Sequence, residues 1–245
     1  LPALIAMPFT MFAVIGVVNA VNTSDGLDGL AAGEVWITLL GISVLAFAAD
    51  GENLTLAAAA TIGGLVGFLR YNTQPARIFM GDAGSQFLGF AVAFFVIYLT
   101  QMVNTKLPPA IAILLLGLPI ADLLVVVLRR IRRGASPFYP DKDHLHHRLL
   151  KLGFAHQRAV VIIYSIQTLL VVSAILLRNQ PDWAHLFVYT LVCSTAFGVV
   201  ALAERRGWHA TEAHVSLRML AGTQGRSDGT VSVLIWGPRI FLQYG

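Results

Sequence analysis

Apolar residues fill this chain in seven long blocks, roughly 1–20, 33–50, 55–71, 86–103, 108–128, 159–177 and 183–203. A helix that crosses a bilayer needs about 20 mostly apolar residues, and each block meets or approaches that length. None alternates with a period of two, and all are too long for barrel strands. The pattern predicts an all-α, polytopic bundle of about seven transmembrane helices. The polar connections between blocks differ in kind. Those near 50–53, 104–107 and 178–182 are short. Those at 21–32, 72–85 and 129–158 hold nearly all the Gly, His and charged residues.

Charge orients the bundle. The side of the short connections carries only Lys106 and Arg178. The other side carries twelve cations: Arg70, Arg77, Arg129, Arg130, Arg132, Arg133, Lys142, Arg148, Lys151, Arg158, Arg205 and Arg206. Lys and Arg accumulate in cytoplasmic loops, so the three long loops are expected together at the cytoplasmic face. An odd number of spans then puts Leu1 outside and the tail, 206–245, inside. The tail is Gly-rich and mixed and suggests no role. The same bias explains the net charge of +4 without a nucleic-acid partner. Composition agrees: 56% of the 245 residues are hydrophobic and 12% are charged, against about 25% charged in soluble domains. That excludes a single soluble domain, a disordered chain and a collagen-like one. One cysteine, Cys193, excludes an internal disulfide. The first residue is Leu and opens directly into an apolar block, so the chain is expected to be a fragment or to have lost its start.

The first long loop reads Asn22-Thr-Ser-Asp25-Gly26-Leu-Asp28-Gly29. Its two Asp-Gly pairs are turn signals, and one reading is a tight reversal whose aspartates cap the next helix. The other uses the spacing. Asn22, Asp25 and Asp28 recur every third residue, which on a helical turn places them on one face. There they could hydrogen-bond a sugar or base, or hold a cation. The second loop reads Phe79-Met-Gly81-Asp82-Ala-Gly84-Ser85. Asp82 or Ser85 could simply cap the helix that follows. That helix start is equally a place for anions, and an Asp beside it suits Mg²⁺, which takes one or two carboxylates plus phosphate oxygens.

The third loop joins Arg129-Arg-Ile-Arg-Arg133 to Asp141-Lys142-Asp-His144-Leu-His146-His147-Arg148. Most of the arginine run reads as an anchor on anionic headgroups. Three histidines in four residues, beside Lys142 and Arg148, form a dense set of anion donors. Zinc is the rival ligand, but no Cys lies nearby and the spacing matches no familiar structural site. Asp122 interrupts the fifth block. A mid-span carboxylate is costly, so it should face the interior, lie near an edge or bond a neighbouring helix.

Asn22-x-x-Asp25-Gly-Leu-Asp28-Gly-Leu-Ala, Phe79-Met-Gly-Asp82-x-Gly84-Ser85 and Pro140-Asp-x-x-His144-x-His146-His147 occur in one order on one expected membrane face. Together they resemble the polyprenyl-phosphate N-acetylhexosamine-1-phosphate transferase family (glycosyltransferase family 4). The His-x-His-His form, preceded by Ser136-Pro-Phe-Tyr-Pro, is more similar to the undecaprenyl-phosphate N-acetylglucosaminyl 1-phosphate transferase branch than to the muramoyl-pentapeptide branch. The resemblance covers about residues 1–205 and implies one transmembrane transferase domain there. It implies transfer of a sugar 1-phosphate from a UDP-N-acetylhexosamine to a polyprenyl phosphate lipid, with release of UMP and use of Mg²⁺ or Mn²⁺. This would be a first membrane step of lipid-linked envelope polysaccharide synthesis in a bacterial inner membrane, and it leaves room for a homodimer. By resemblance, Asp82 is the metal-binding and catalytic aspartate. Asn22, Asp25, Asp28, Phe79, Gly81 and Arg148 bind substrate, and His144, His146 and His147 work near the donor's diphosphate.

Members of that branch have further spans in front and an early loop with an Asp-Asp-x-x-Asp motif, which nothing here matches. The seven spans are expected to be the family's last ones, with the catalytic set incomplete. Two other classes stay open. A transporter predicts polar residues lining several spans at midplane, and such residues look scarce. A non-catalytic membrane subunit predicts that Asp82 and the histidines tolerate substitution.

Overall fold

The computed structural model describes residues 3–134, 136, 143–216 and 230–235. Seven helices in it are long and apolar enough to cross a membrane. They are α1 (Ala3–Ser24), α2 (Leu30–Phe47), α3 (Glu52–Asn72), α4 (Gly81–Tyr98, extended by a wider turn through Leu99–Val103), α5 (Ile111–Arg132), α7 (His156–Leu176) and α8 (Asp182–Arg205), with a short α6 (Leu145–Lys151) between α5 and α7. The helical bundle expected from the apolar blocks is present, and the chain is a multi-span membrane protein. In the tail the backbone forms an antiparallel pair, β1 (Thr211–Ser216) and β2 (Thr230–Ile235), with Thr211 opposite Ile235.

The central helix is α2, packed between α3 and α7. α1 lies against α4 and α5, and α5 against α7 and α8. The helices run past the polar segments read from the sequence. α1 continues to Ser24 and α4 starts at Gly81, so the first two loops shrink to 25–29 and 73–80. Backbone polar groups without water must pair inside the protein, which favours continuing a helix to the last residue the interface permits.

The fifth span breaks. Gly117 has φ 25° and ψ −110°, and Pro119 follows two residues later. Proline has no N–H to give, and its ring displaces the carbonyl four residues before it. That carbonyl belongs to Leu115. It accepts hydrogen bonds from the Thr38 hydroxyl (3.0 Å) and from Gln167 Nε2 (3.0 Å). Gln167 Nε2 also donates to the Thr38 hydroxyl (2.9 Å), and Gln167 Oε1 accepts the Leu118 N–H (2.9 Å). The Tyr189 hydroxyl donates to the Gly117 carbonyl at 3.3 Å. Gln167 is fully buried. Thr38 and Gln167 are thus mid-bundle polar groups committed to repairing one helix.

The chain direction brings the ends of α1, α3, α5 and α8 and the starts of α2, α4 and α7 to one end of the bundle. At the opposite end, the Ala110 N–H donates to Asp182 Oδ1 at 2.9 Å, joining α5 to α8.

Candidate active site

The first two loops are stitched together by side chains that bond backbone. The carboxylate of Asp28 accepts the Ala76 N–H at 3.0 Å. Asn72, the last residue of α3, accepts the Gly29 N–H (3.0 Å) and donates to the Ile78 carbonyl (2.9 Å). The Ser85 hydroxyl donates to Asn22 Oδ1 at 2.6 Å. From α7, the Tyr164 hydroxyl donates to the Gly29 carbonyl at 2.5 Å, and His156 Nε2 lies 3.3 Å from the Asp28 carbonyl. Two of the expected substrate ligands, Asn22 and Asp28, therefore also fix the shape of the site.

Asn22, Asp25 and Asp28 do not share a helix face. α1 ends at Ser24, so only Asn22 rides on it, and Asp25 and Asp28 sit in the turn. Gly29 adopts φ 80° as the residue before α2. The aspartates still form one acidic patch with the second loop. Burial, then the charges of Asp82 and Asp28, hold the Asp25 carboxyl above its ordinary range. Neither Asp82 nor Ser85 caps α4, because Met80 occupies that position and no side chain bonds there. Asp82 and Gly81 (φ 65°) are exposed in the first turn, and Phe79 is exposed in the loop before it. Among the described residues, no group of three or more His, Cys, Asp or Glu is gathered tightly enough to hold a metal unaided.

The histidines reach this patch from the other side. Asp122 points out of α5 into the third loop. Its Oδ2 lies 2.9 Å from His144 Nδ1, and its Oδ1 accepts the Leu145 N–H at 2.8 Å, at the start of α6. The His144 ring lies parallel to that of His146 (centroids 5.9 Å apart, 8° between planes). His146 in turn meets His147, with centroids 4.2 Å apart. His146 is buried, and its ring lies so close to Gly26 that any Cβ there would collide with it. Gly26 is where the histidine row touches the acidic turn. Its missing side chain is a space requirement, and the sequence, which read both glycines as turn formers, could not separate the two uses.

Arg148 lies elsewhere. It is buried and forms a two-pronged pair with Glu204 at the end of α8, Nε to Oε1 and Nη2 to Oε2, each 2.8 Å. Arg133 of the basic run pairs with Asp143 at 2.6 Å. Asp141 and Lys142, read as part of the third loop's polar set, lie outside the described residues. Glu34 of α2, absent from the sequence reading, is buried beside Ser24, Asp122 and His146 in a narrow crevice. An apolar concavity of about 1200 Å³ lies between α7 and α8 against the back of α6. It contains none of the site side chains named above.

Burial drops the His146 pKa from 6.5 to about 4, with the charge of His147 acting the same way. The ring is neutral at pH 7. The unfolded chain therefore binds a proton that the folded one refuses between about pH 6.5 and 4, and His146 favours folding only above that window. Stability should fall by about 3 kcal/mol as pH drops through it. Comparing acid unfolding of the wild type and His146→Gln checks this, since the variant should lose that part of the acid sensitivity. Identical acid profiles would show that the ring is not shielded.

Acidic groups and a row of imidazoles at one end of a bundle make an interfacial polar site on a multi-span membrane protein. Residues 1–100 match the model of the family described as glycosyl transferase family 4. A protein of Bacillus subtilis (strain 168) named "Probable undecaprenyl-phosphate N-acetylglucosaminyl 1-phosphate transferase" is 39% identical over 183 residues, covering 75% of this chain and 51% of its own length. The undecaprenyl-phosphate alpha-N-acetylglucosaminyl 1-phosphate transferase of Escherichia coli (strain K12) is 30% identical over 206 residues, covering 81% and 55%. The decaprenyl-phosphate N-acetylglucosaminephosphotransferase of Mycobacterium leprae (strain TN) is 38% identical over 174 residues, covering 63% and 44%. Over its first 100 residues, and along the stretches shared with these relatives, the chain is similar to glycosyl transferase family 4. It spans about half the length of these curated relatives.

Proposed function

We propose that this chain carries the donor-handling face of an enzyme that transfers N-acetylglucosamine 1-phosphate from its UDP-sugar to undecaprenyl phosphate. A new bond joins a lipid phosphate oxygen to the sugar-bound phosphorus, the bond from that phosphorus to the UMP oxygen breaks, and UMP leaves. The observation that carries this reading is the meeting of the acidic turn and the histidine row at Gly26, at the end of the bundle where the three loops gather. A soluble dianionic donor and a lipid acceptor can meet only at such an interface. The printed names of the relatives support the same donor and acceptor classes.

Phosphoryl transfer asks a protein mainly for positioning and for groups that meet developing charge. Asp82 is the residue that would hold Mg²⁺ (or Mn²⁺). It is exposed, is not used as a cap and stands against the crowded charge of Asp25, and Mg²⁺ takes its remaining ligands from water and substrate phosphates. When bound, the ion would neutralise charge on the diphosphate. The neutral His146, with His147, offers N–H donors toward phosphate oxygens, and His144 stands in the same row. Phe79, exposed on the second loop, presents a ring on which a base can stack. The arrangement needs the three loops on the cytoplasmic side of a bacterial inner membrane, where UDP-sugars are made, and the twelve-to-two cation bias supports that side.

One experiment tests reaction and orientation together. Membrane vesicles from cells carrying the complete gene are given radiolabelled UDP-N-acetylglucosamine, which does not cross bilayers. Inverted vesicles should form a lipid-linked sugar pyrophosphate and release UMP, and right-side-out vesicles should not. Absence of gene-dependent transfer in both would sink the reaction, and equal transfer in both the orientation.

A further inference from the structure

The buried carboxylate of Asp122 has a defined job in this geometry. Its two oxygens are divided between two partners on the far side of a chain crossing: Oδ1 takes the backbone N–H of Leu145, and Oδ2 faces His144 Nδ1 at 2.9 Å. Both side chains are nearly closed to solvent, at 10% and 8% exposure. A carboxylate accepts hydrogen bonds and does not donate them, so the His144 nitrogen facing it carries the proton. In a neutral ring the other nitrogen is then an acceptor. It has no hydrogen-bond partner among the described residues. The His144 ring lies parallel to His146, and His146 packs on Gly26, so the row runs from Asp122 to the acidic turn.

We propose that Asp122 is a positioning residue that fixes His144 in the Nδ1–H tautomer, leaving Nε2 as an acceptor for a proton or N–H of the bound reactants, while holding the start of α6. The inference rests on the transferase reading for its kinetic consequence, and on geometry alone for the tautomer. A second-sphere carboxylate of this kind sets which ring nitrogen of a histidine is available.

Asp122→Asn separates the two duties. The amide oxygen can still accept the Leu145 N–H, so α6 keeps its start. The amide NH₂ then faces His144 Nδ1 as a donor, and the ring must move its proton to Nε2. ¹⁵N NMR of histidine-labelled protein, with His144 assigned through His144→Gln, should show an unprotonated Nε2 in the wild type and an unprotonated Nδ1 in Asp122→Asn. In the vesicle assay, turnover should fall by about 10- to 100-fold with the KM for the UDP-sugar unchanged. In a His144→Gln background the same substitution should add no further loss. A wild-type His144 protonated on Nε2 would overturn the proposal, and that measurement needs no variant to fold. An unmoved tautomer in Asp122→Asn, or a full additional loss on top of His144→Gln, would overturn it as well. A tautomer switch in a protein that transfers no sugar phosphate would sink the transferase reading and leave the positioning role standing.

Discussion

Asp82→Asn is expected to lower turnover by about two to three orders of magnitude, the loss typical when one fixed stabiliser of transition-state charge is removed, while the protein stays folded. The fold should not suffer, because Asp82 is exposed and caps nothing at the start of α4. Removing its charge even relieves the repulsion that helps hold the Asp25 carboxyl up. The substitution keeps shape and hydrogen-bonding capacity and deletes the negative charge that a divalent cation needs. Transfer rates across a Mg²⁺ titration, beside a thermal melt of the same preparation, make the test. A full rate at saturating Mg²⁺ would show that Asp82 plays no part in holding the ion.

Gln167→Leu is expected to cost about 3 kcal/mol of stability, because it strands buried polar groups that have no water to turn to. The Leu118 N–H loses its acceptor outright, and the Leu115 carbonyl keeps only Thr38. Leucine fills most of the volume, so lost packing contributes little. Ser165→Ala, two residues earlier on the same helix, is the control. That hydroxyl is exposed and bonds only the carbonyl one turn back, so its loss should stay within about 0.5 kcal/mol. The midpoints of denaturant-induced unfolding in detergent would report both. Equal behaviour of the two variants would show that the break at Gly117 is held by something other than Gln167.

How much of this was legible beforehand depended on range. Seven spans follow from apolar length, which is a local property, and each expected block overlaps an observed helix. The gathering of three loops at one end follows from chain direction once the spans are right. What the spacing of Asn22, Asp25 and Asp28 suggested, a shared helix face, failed because α1 stops at Ser24 and the two Asp-Gly pairs take over. The Gly117-Leu-Pro119 segment did carry a local signal for a broken helix, since proline cannot continue the ladder. Its repair by Gln167 and Thr38 carried none, because the three segments are far apart in sequence. Asp122 was readable as a carboxylate needing a partner, but not as the holder of His144. Arg148 shows the same limit. Beside three histidines it reads as one more anion donor, whereas in three dimensions its charge is matched by Glu204.

That pairing has a consequence for how the protein is made. Glu204 lies 56 residues downstream of Arg148, at the end of the last span. A ribosome delivers the chain from the N-terminus, so α6 leaves it well before the acid that will neutralise it. Until α8 has been threaded into the bilayer, seating α6 against the bundle would bury a cation without a counter-ion, which is strongly unfavourable. The histidine row can therefore be held loosely by Asp122 at first and locked only when synthesis of the last span is complete. A chain truncated before Glu204 would carry all three loop motifs and still lack the partner that lets Arg148 be buried.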